Sequence, residues 1–306
     1  MMVNWEDIDS VEQLEHQFPT ESDCAAFLTQ LKWPQGFVCP RCSHSHAYLI
    51  KSRRLPLHQC SACGYQASIT AGTVMEGSRT SLRKWLIALW LVSRSDKGIN
   101  AVQLQSIIQV TYKTAWLILH KIRAAISHRD ANHPLPGIIQ GIVAFYGRSI
   151  RSPIELHPKE CPLIIAESVT GTSAHTGLLK MKKVDPKHCS KKLLLPSGCD
   201  HFAAWHTENP DETYINRFHI QVRRNSRLYQ TFRKAWRWMN NTFHGIGSKY
   251  LQAYLDEFSF RYNALVEHEC TMQRLLQLCM SIAIRPLLLG ASIRSPRSRS
   301  YNRKAA

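Results

Sequence analysis

The chain has 306 residues, enough for about two or three domains, and its hydrophobic content of 44% is ordinary for a globular protein. Lys and Arg number 39 against 22 Asp and Glu, so the formal net charge is +17 and a polyanionic partner, first of all nucleic acid, is favoured. The longest apolar run, WLIALWLV at 85–92, is too short to cross a bilayer, and the acidic start MMVNWEDIDS has no secretory signal. We therefore expect a cytoplasmic protein with no membrane partner, in which cysteines stay reduced.

The first part of the chain, residues 1–36, is expected to be a helical segment. The stretch DSVEQLEHQFPTESDCAAFLTQL at 9–31 predicts two short helices. Within it, TESD carries the residues of an N-terminal capping box for the second helix.

Two cysteine pairs follow, CPRC at 39–42 and CSAC at 60–63. Each Cys-x-x-Cys turn directs two thiolates to one centre, and two such turns complete a tetrahedral zinc site, so residues 37–75 predict a zinc ribbon. The expected ligands are Cys39, Cys42, Cys60 and Cys63.

Other interpretations of the cysteines fit less well. A thioredoxin-like redox pair needs only one such turn in a βαβ setting, which the flanking sequence lacks. His44 and His46 lie between the pairs, and with four thiolates available we interpret them as surface residues. A zinc ion with four protein ligands has no open position for chemistry, so its role is expected to be structural.

Residues 80–130 predict a helix-turn-helix. TSLRKWLIALWLVSRS is expected to be an amphipathic helix, and a second helix, a turn at QVTYK and a longer helix capped by Thr111 follow. In the longer helix Lys113, His120 and Lys121 fall outside the apolar stripe, which is formed by Ala115, Trp116, Leu119, Ile122 and Ile126. A helix with such a basic outer face can enter a DNA major groove. A plain helical hairpin with a solvated face remains the alternative.

The second half begins after ANHPLPG at 131–137, which is a linker by composition. IIQGIVAFYG and CPLIIAESVTG predict two strands, and KMKKVDPKHCSKK is a polar run. Residues 221–244 combine basic and aromatic side chains, and SKYLQAYLDEFSFRYNAL predicts a helix. The Ser- and Arg-rich tail at 285–306 is expected to be basic and disordered.

Three blocks in chain order carry a family resemblance: FLTQLKWPQGFVCPRC, HQCSACGYQASITAGTVMEGSRTSLRKWLIALWLVSRSDKGINAVQLQ and VTYKTAWLILHKIRAAI. With FHGIGSKYLQAYLDEFSFRYN near the end, they resemble the ISXO-like insertion-sequence transposases. The resemblance implies an α+β multidomain protein: a zinc ribbon and a helix-turn-helix, followed at 137–270 by an RNase H-like domain of the DDE type. It also implies binding to the terminal inverted repeats of an insertion element, with Mg²⁺-dependent strand transfer.

The carboxylates that this chemistry needs are missing from the positions at which the family has them. A two-metal site takes acids from three separated segments. Ile142, Ser197 and Tyr229 occupy the matching positions, and no Asp or Glu occurs at 131–154 or between Thr213 and Leu255. Asp200 could replace the second acid only with a shifted register. The RNase H-like domain is therefore expected to be degenerate.

The sequence leaves two functions open. The first is a DNA-binding protein of the transposase family that is defective in strand transfer. The second is an active, Mg²⁺-dependent transposase whose acidic ligands are displaced, so whether the chain is an enzyme stays undecided, as does self-assembly into a homo-oligomer. In both cases we expect a bacterial, nucleoid-associated protein whose DNA contacts come from Lys113, His120, Lys121, Arg123, Arg223, Arg224, Arg233, Lys234 and Arg237.

Overall fold

A computed structural model describes residues 3–94, 98–147, 154–169 and 177–284. Within these ranges the helices are α1 (Val11–Gln17), α2 (Glu21–Lys32), α3 (Leu82–Ser93), α4 (Ala101–Ile108), α5 (Tyr112–Asn132), α6 (Pro196–His206), α7 (Arg227–Phe243), α8 (Leu251–Val266) and α9 (Thr271–Ser281). The strands are β1 (Ala47–Ile50), β2 (Leu57–Cys60), β3 (Gln66–Ser68), β4 (Ile138–Tyr146), β5 (Cys161–Val169), β6 (Leu179–Lys183), β7 (Cys189–Ser190), β8 (Leu193–Leu194) and β9 (Thr213–Asn216). The expected tail at 285–306 lies outside the described residues.

A helical core forms from α1 to α5 and is closed by α9. The capping box predicted for α2 is present, because Thr20 and Asp23 each bond the other's backbone N–H. The expectation that α3 is amphipathic is wrong. An amphipathic helix would leave one side exposed, but Ile87, Ala88 and Trp90 of α3 are also buried. They are covered because α3 packs against α2, α4, α5 and α9.

The ribbon is a three-stranded antiparallel sheet in the order β1-β2-β3. Strands β2 and β3 lie on either side of the second cysteine pair, and β1 pairs with β2 so that Ala47 lies opposite Cys60. Ile69, Val74 and Met75, which follow the ribbon, pack into the helical core. The ribbon is therefore anchored to the helical region from its C-terminal side.

The second half is built on a four-stranded sheet in the order β6-β5-β4-β9. Strands β4, β5 and β6 pair antiparallel, and β9 lies parallel to β4. Alternate residues of β4 enter two different apolar clusters. Ile142 and Ala144 pack with α7 and α8, whereas Ile139 and Val143 pack with Phe202 of α6. Helices cover both faces of this mainly antiparallel sheet, so the chain combines helices and strands in a mixed α/β fold with the zinc-ribbon region at its N-terminal side.

Buried ion pairs connect α5 of the helical region to the second half. Arg123 Nε lies 2.5 Å from Glu257 Oε2 of α8, and both side chains are almost fully buried. Asp130 pairs with Lys180 and Lys182 of β6, and Lys182 also pairs with Asp256. The run KMKKVDPKHCSKK was expected to be polar. Its first residues instead belong to β6, which is mostly buried.

No helix among the described residues is both long and apolar enough to cross a membrane.

Candidate metal centre and nucleic-acid interface

The four predicted ligand cysteines converge on one point. Their sulfur atoms all lie within 4.8 Å of one another. Cys39 Sγ is 3.6 Å from Cys63 Sγ, and Cys42 Sγ is 3.6 Å from Cys60 Sγ. A tetrahedral zinc with Zn–S bonds of about 2.3 Å requires sulfur separations of about 3.8 Å, so the arrangement fits structural Zn²⁺.

The backbone explains why the two pairs point the same way. In the first turn Ser43 N–H donates to Cys39 O, and in the second turn Gly64 N–H donates to Cys60 O. Ser43 and Gly64 both have positive φ, 59° and 69°. Each turn thus reverses at the fourth residue after its first cysteine, and the two thiolates of each pair come to one side. His46 is exposed and His44 half-buried, and neither is part of the four-sulfur group.

The helix-turn-helix has the local geometry that the sequence predicts. Gln109 ends α4 in the left-handed region at φ 50°, and the Thr111 side chain caps α5 by accepting from the Thr114 N–H. The first turn of α5 is the accessible part of the helix. Tyr112 is 53% exposed, and Lys113 is also exposed. A recognition helix meets DNA with its N-terminal residues, so this end is suited to contact bases.

The expectation that His120 and Lys121 lie on an outer basic face is wrong, and Arg123, an expected DNA contact, is buried as well. Lys121 Nζ donates to the carbonyl oxygens of Val74 and Glu76, at 3.1 and 2.8 Å. Arg123 is 1% exposed and pairs with Glu257. These side chains are buried because the ribbon's C-terminal segment and α8 cover the face of α5 that local periodicity assigns to solvent.

His120 is buried by aromatic side chains. Its ring stacks on Trp116 with the centroids 3.6 Å apart, and Tyr250 packs edge-on against both rings. Burial lowers the pKa of His120 to about 4, so the imidazole is neutral at physiological pH. It therefore offers no positive charge to a phosphate.

The basic helix α7 keeps the exposed charge that was expected. Leu228, Phe232, Ala235 and Met239 face the sheet. Lys234 and Arg237 lie on the exposed side, and Arg223 and Arg224 are exposed just before the helix begins. Arg233 is half-buried and lies over the Trp236 ring, with its guanidinium carbon 5.3 Å from the ring centroid.

The sheet face under α7 is apolar where the resemblance implies metal ligands. Ile142 is 8% exposed and shares one apolar cluster with Tyr229. A buried carboxylate does occur nearby, because Glu167 of β5 lies opposite Gln140 of β4. Its Oε1 is 2.6 Å from the Arg227 guanidinium of α7. The Glu167 carboxylate is therefore already paired with the Arg227 guanidinium.

The prediction that Ser197 lines this same face is wrong. Ser197 lies in the first turn of α6, where its Oγ is 2.9 Å from His188 Nδ1. The strand before it, β8, pairs with β7, and β9 occupies the place beside β4. Asn216 therefore lies opposite Ile142. Packing explains the glycine at position 198, because a Cβ there would lie 2.7 Å from Leu194 Cδ1.

Asp200 is exposed and lines an open groove with Gln140, Asn216 and Arg217. The groove runs along the edge of the sheet at β9. No second carboxylate lines it among the described residues. The structure thus gives Asp200 no acidic partner for a two-metal site.

Two parts of the chain match known protein domains, at the positions where the ribbon and the second half lie. Residues 19–66 match the transposase zinc-ribbon domain of the IS1595 type. Residues 193–263, from β8 to α8, match the ISXO2-like transposase domain. In these two parts the chain is similar to transposases of the IS1595 type.

The chain is also similar to an uncharacterized protein in transposable element ISH50 of Halobacterium salinarum strain NRC-1, with 31% identity over 118 residues. The matched part is 38% of this chain and 38% of that relative, so it covers well under half of either protein. No solved structure matches the chain.

The sequence analysis did not identify the ion pair formed by Glu167 and Arg227. The signal was available: Glu167 is the single acid in the otherwise apolar run CPLIIAES. An isolated charge inside a buried strand needs a partner, because an unpaired buried charge costs several kcal/mol or more.

Proposed function

We propose that this chain is an IS1595-family protein that binds the terminal repeats of its insertion element and does not itself cut or join DNA. The ribbon and the N-terminal end of α5 make contacts that depend on the DNA sequence. The exposed cations of α7 add electrostatic binding that does not depend on it. Bound in this way, the protein is located with the bacterial nucleoid.

The charge of the described surface supports DNA binding. Lys113 is exposed at the end of α5 that a helix-turn-helix presents to a groove. Arg223, Arg224, Lys234 and Arg237 are exposed on or just before α7. Each phosphate that such groups neutralise releases counterions, so binding should weaken steeply as salt rises.

The observation that supports the proposed absence of catalysis is the pairing of Glu167 with Arg227. Two divalent metal ions need several anionic oxygens from separate segments. On the face under α7, Ile142 is apolar and Glu167 already has a guanidinium 2.6 Å away. A metal ion there would have to displace that cation and would gain one carboxylate.

The decisive experiment is a strand-transfer assay on the unmodified protein. Labelled duplexes of the element's ends and a target plasmid are incubated with the protein and Mg²⁺ or Mn²⁺. We expect the duplex to be bound, as a gel shift would show, with no cleaved or joined product. Metal-dependent products that disappear in Asp200→Ala would establish the alternative, an active transposase with displaced ligands.

A gain-of-ligand variant tests where the metal ligands would have been. Ile142→Asp combined with Arg227→Gln adds one carboxylate and frees Glu167. We expect Mn²⁺ to bind this variant and not the parent, as water-proton relaxation would report. Tyr48→Asp, at an exposed position of the ribbon strand β1, is the matched control, because it adds one acid on a different sheet.

A further inference from the structure

A cleft opens between the N-terminal ends of α4 and α5 and the loop that joins α7 to α8. Its volume is about 320 Å³. Its walls include Tyr112, Trp116, His120 and Tyr250, and the loop contributes Gly245 and Gly247. The cleft thus lies beside the turn of α5 that the helix-turn-helix presents to DNA.

Two buried polar groups in the walls of this cleft have no hydrogen-bond partner among the described residues. His120 is 7% exposed, and its Nε2 is unpartnered. Arg123, one turn further along α5, is 1% exposed, and its Nη2 is unpartnered. Buried polar groups left unsatisfied are costly and uncommon, so the pair points to a missing ligand.

The hydrogen-bonding character of the two groups follows from their neighbours. His120 Nδ1 lies 2.9 Å from the Trp116 carbonyl oxygen, which can only accept, so Nδ1 carries the proton. Because burial lowers the pKa of His120 to about 4, the ring is neutral and Nε2 is an acceptor. Arg123 Nη2 is a donor. The cleft therefore offers one acceptor and one donor beside aromatic rings.

We propose that this cleft receives an unstacked nucleobase of the bound DNA. The inference rests on the proposed function, because it needs DNA at the N-terminal end of α5. Aromatic rings stack on any base, and a donor and an acceptor side by side match the edge of a base. Bases with an exocyclic amino group can donate to His120 Nε2, and a ring carbonyl can accept from Arg123 Nη2.

Other ligand chemistries fit the walls less well. A phosphate would have to approach the neutral His120 and the Arg123 guanidinium that Glu257 already pairs. A purely apolar ligand would leave both polar groups unsatisfied. Tyr112 is 53% exposed at the edge of the cleft, where a base leaving the stack can meet its ring.

The test uses short single strands of equal length, which carry equal phosphate charge: oligo(dC), oligo(dT) and an abasic strand. We expect the full chain to bind oligo(dC) about ten-fold more tightly than the abasic strand, because one stacked base changes affinity by roughly five-fold or more. Oligo(dC) should also exceed oligo(dT), which lacks the amino group. Binding is measured by fluorescence anisotropy at fixed salt.

Variants assign the effect to the cleft. Tyr112→Ala should reduce the preference for oligo(dC) over the abasic strand, and Tyr112→Phe should keep it because the ring remains. Tyr214→Ala is the matched control, since Tyr214 is an equally exposed tyrosine on β9. His120→Phe keeps a ring against Trp116 and should abolish the preference for oligo(dC) over oligo(dT).

The outcomes separate the two proposals. Equal affinity for oligo(dC) and the abasic strand, with duplex ends still bound, overturns the base site and leaves the proposed function standing. Failure to bind any strand or duplex overturns both. Photocross-linking of a 5-iododeoxycytidine strand should label Tyr112, Trp116 or Tyr250, and labelling confined to the ribbon's Tyr48 would also refute the site.

Discussion

Breaking the buried ion pair between Arg123 and Glu257 should cost more stability than breaking any exposed pair in the described part of the chain. The change to make is Glu257→Ala. Glu257 is fully buried and Arg123 is 1% exposed, so the variant leaves a guanidinium in the interior with Tyr254 Oη, at 3.3 Å, as its remaining hydrogen-bond partner. Removing one member of a buried pair costs about 3–5 kcal/mol. That cost corresponds to a fall of roughly two to four orders of magnitude in the folding equilibrium constant.

The assay is urea unfolding followed by circular dichroism, with the free energy of unfolding taken from the midpoint and slope. The matched control is Glu155→Ala, which removes the acid from an ion pair with Lys191 in which both side chains are about 60% exposed. Exposed pairs contribute about 0–1 kcal/mol, so the control should unfold close to the parent.

A double variant isolates the cause. Arg123→Leu with Glu257→Leu removes both charges, and replacing a buried pair by apolar side chains is often nearly neutral. We expect it to be more stable than Glu257→Ala alone. A Glu257→Ala variant that loses less than about 1 kcal/mol would refute the argument, because exposed pairs already reach that value.

Three further results are expected. Cys60→Ser should abolish the binding of one zinc per chain, measured by elemental analysis, and unfold the ribbon while β4 to α8 stay folded; zinc-free parent protein, purified without chelator, would contradict this. Lys113→Ala should weaken DNA binding and lower its salt dependence without changing the melting temperature, whereas Lys121→Ala should lower the melting temperature. The opposite pattern would contradict a DNA-binding role for Lys113 and a structural role for Lys121. Burial alone would raise the pKa of Asp130, but Lys182 and Lys180 lower it from 3.8 to about 2. Its stabilisation is therefore present above its ordinary pKa and lost as pH falls from roughly 5 towards 2, and Asp130→Asn should flatten the acid limb of a stability–pH curve.

The ribbon and the helix boundaries could be predicted because their determinants are local. Four cysteines at fixed spacing specify the metal centre, and Thr20 and Thr111 begin their helices through bonds to residues three positions away. The strand sequences of β4 and β5 were also recognisable, since continuous apolar runs favour strands buried on both faces. These features depend on neighbours in the sequence.

The wrong expectations concern residues whose partners are distant in sequence. Lys121 and Arg123 look like surface cations by periodicity, yet Lys121 bonds carbonyls 45 and 47 positions earlier and Arg123 pairs 134 positions later. Ser197 was misplaced because the strand that pairs with β4 is β9, and pairing between distant strands is not encoded in local pattern. The aromatic cleft joins α5 to the α7–α8 loop and was invisible for the same reason.

The position of α9 has a consequence for damaged copies of the element. Leu275, Leu276 and Cys279 of α9 complete the core around α2 and α3, and Val74 N–H donates to the Cys279 carbonyl. The nascent N-terminal half therefore cannot close its core until the ribosome has translated Thr271–Ser281. A frameshift or stop codon upstream of Thr271 removes α9, which packs against α2, α3 and α5. Such truncated products should not accumulate as folded protein.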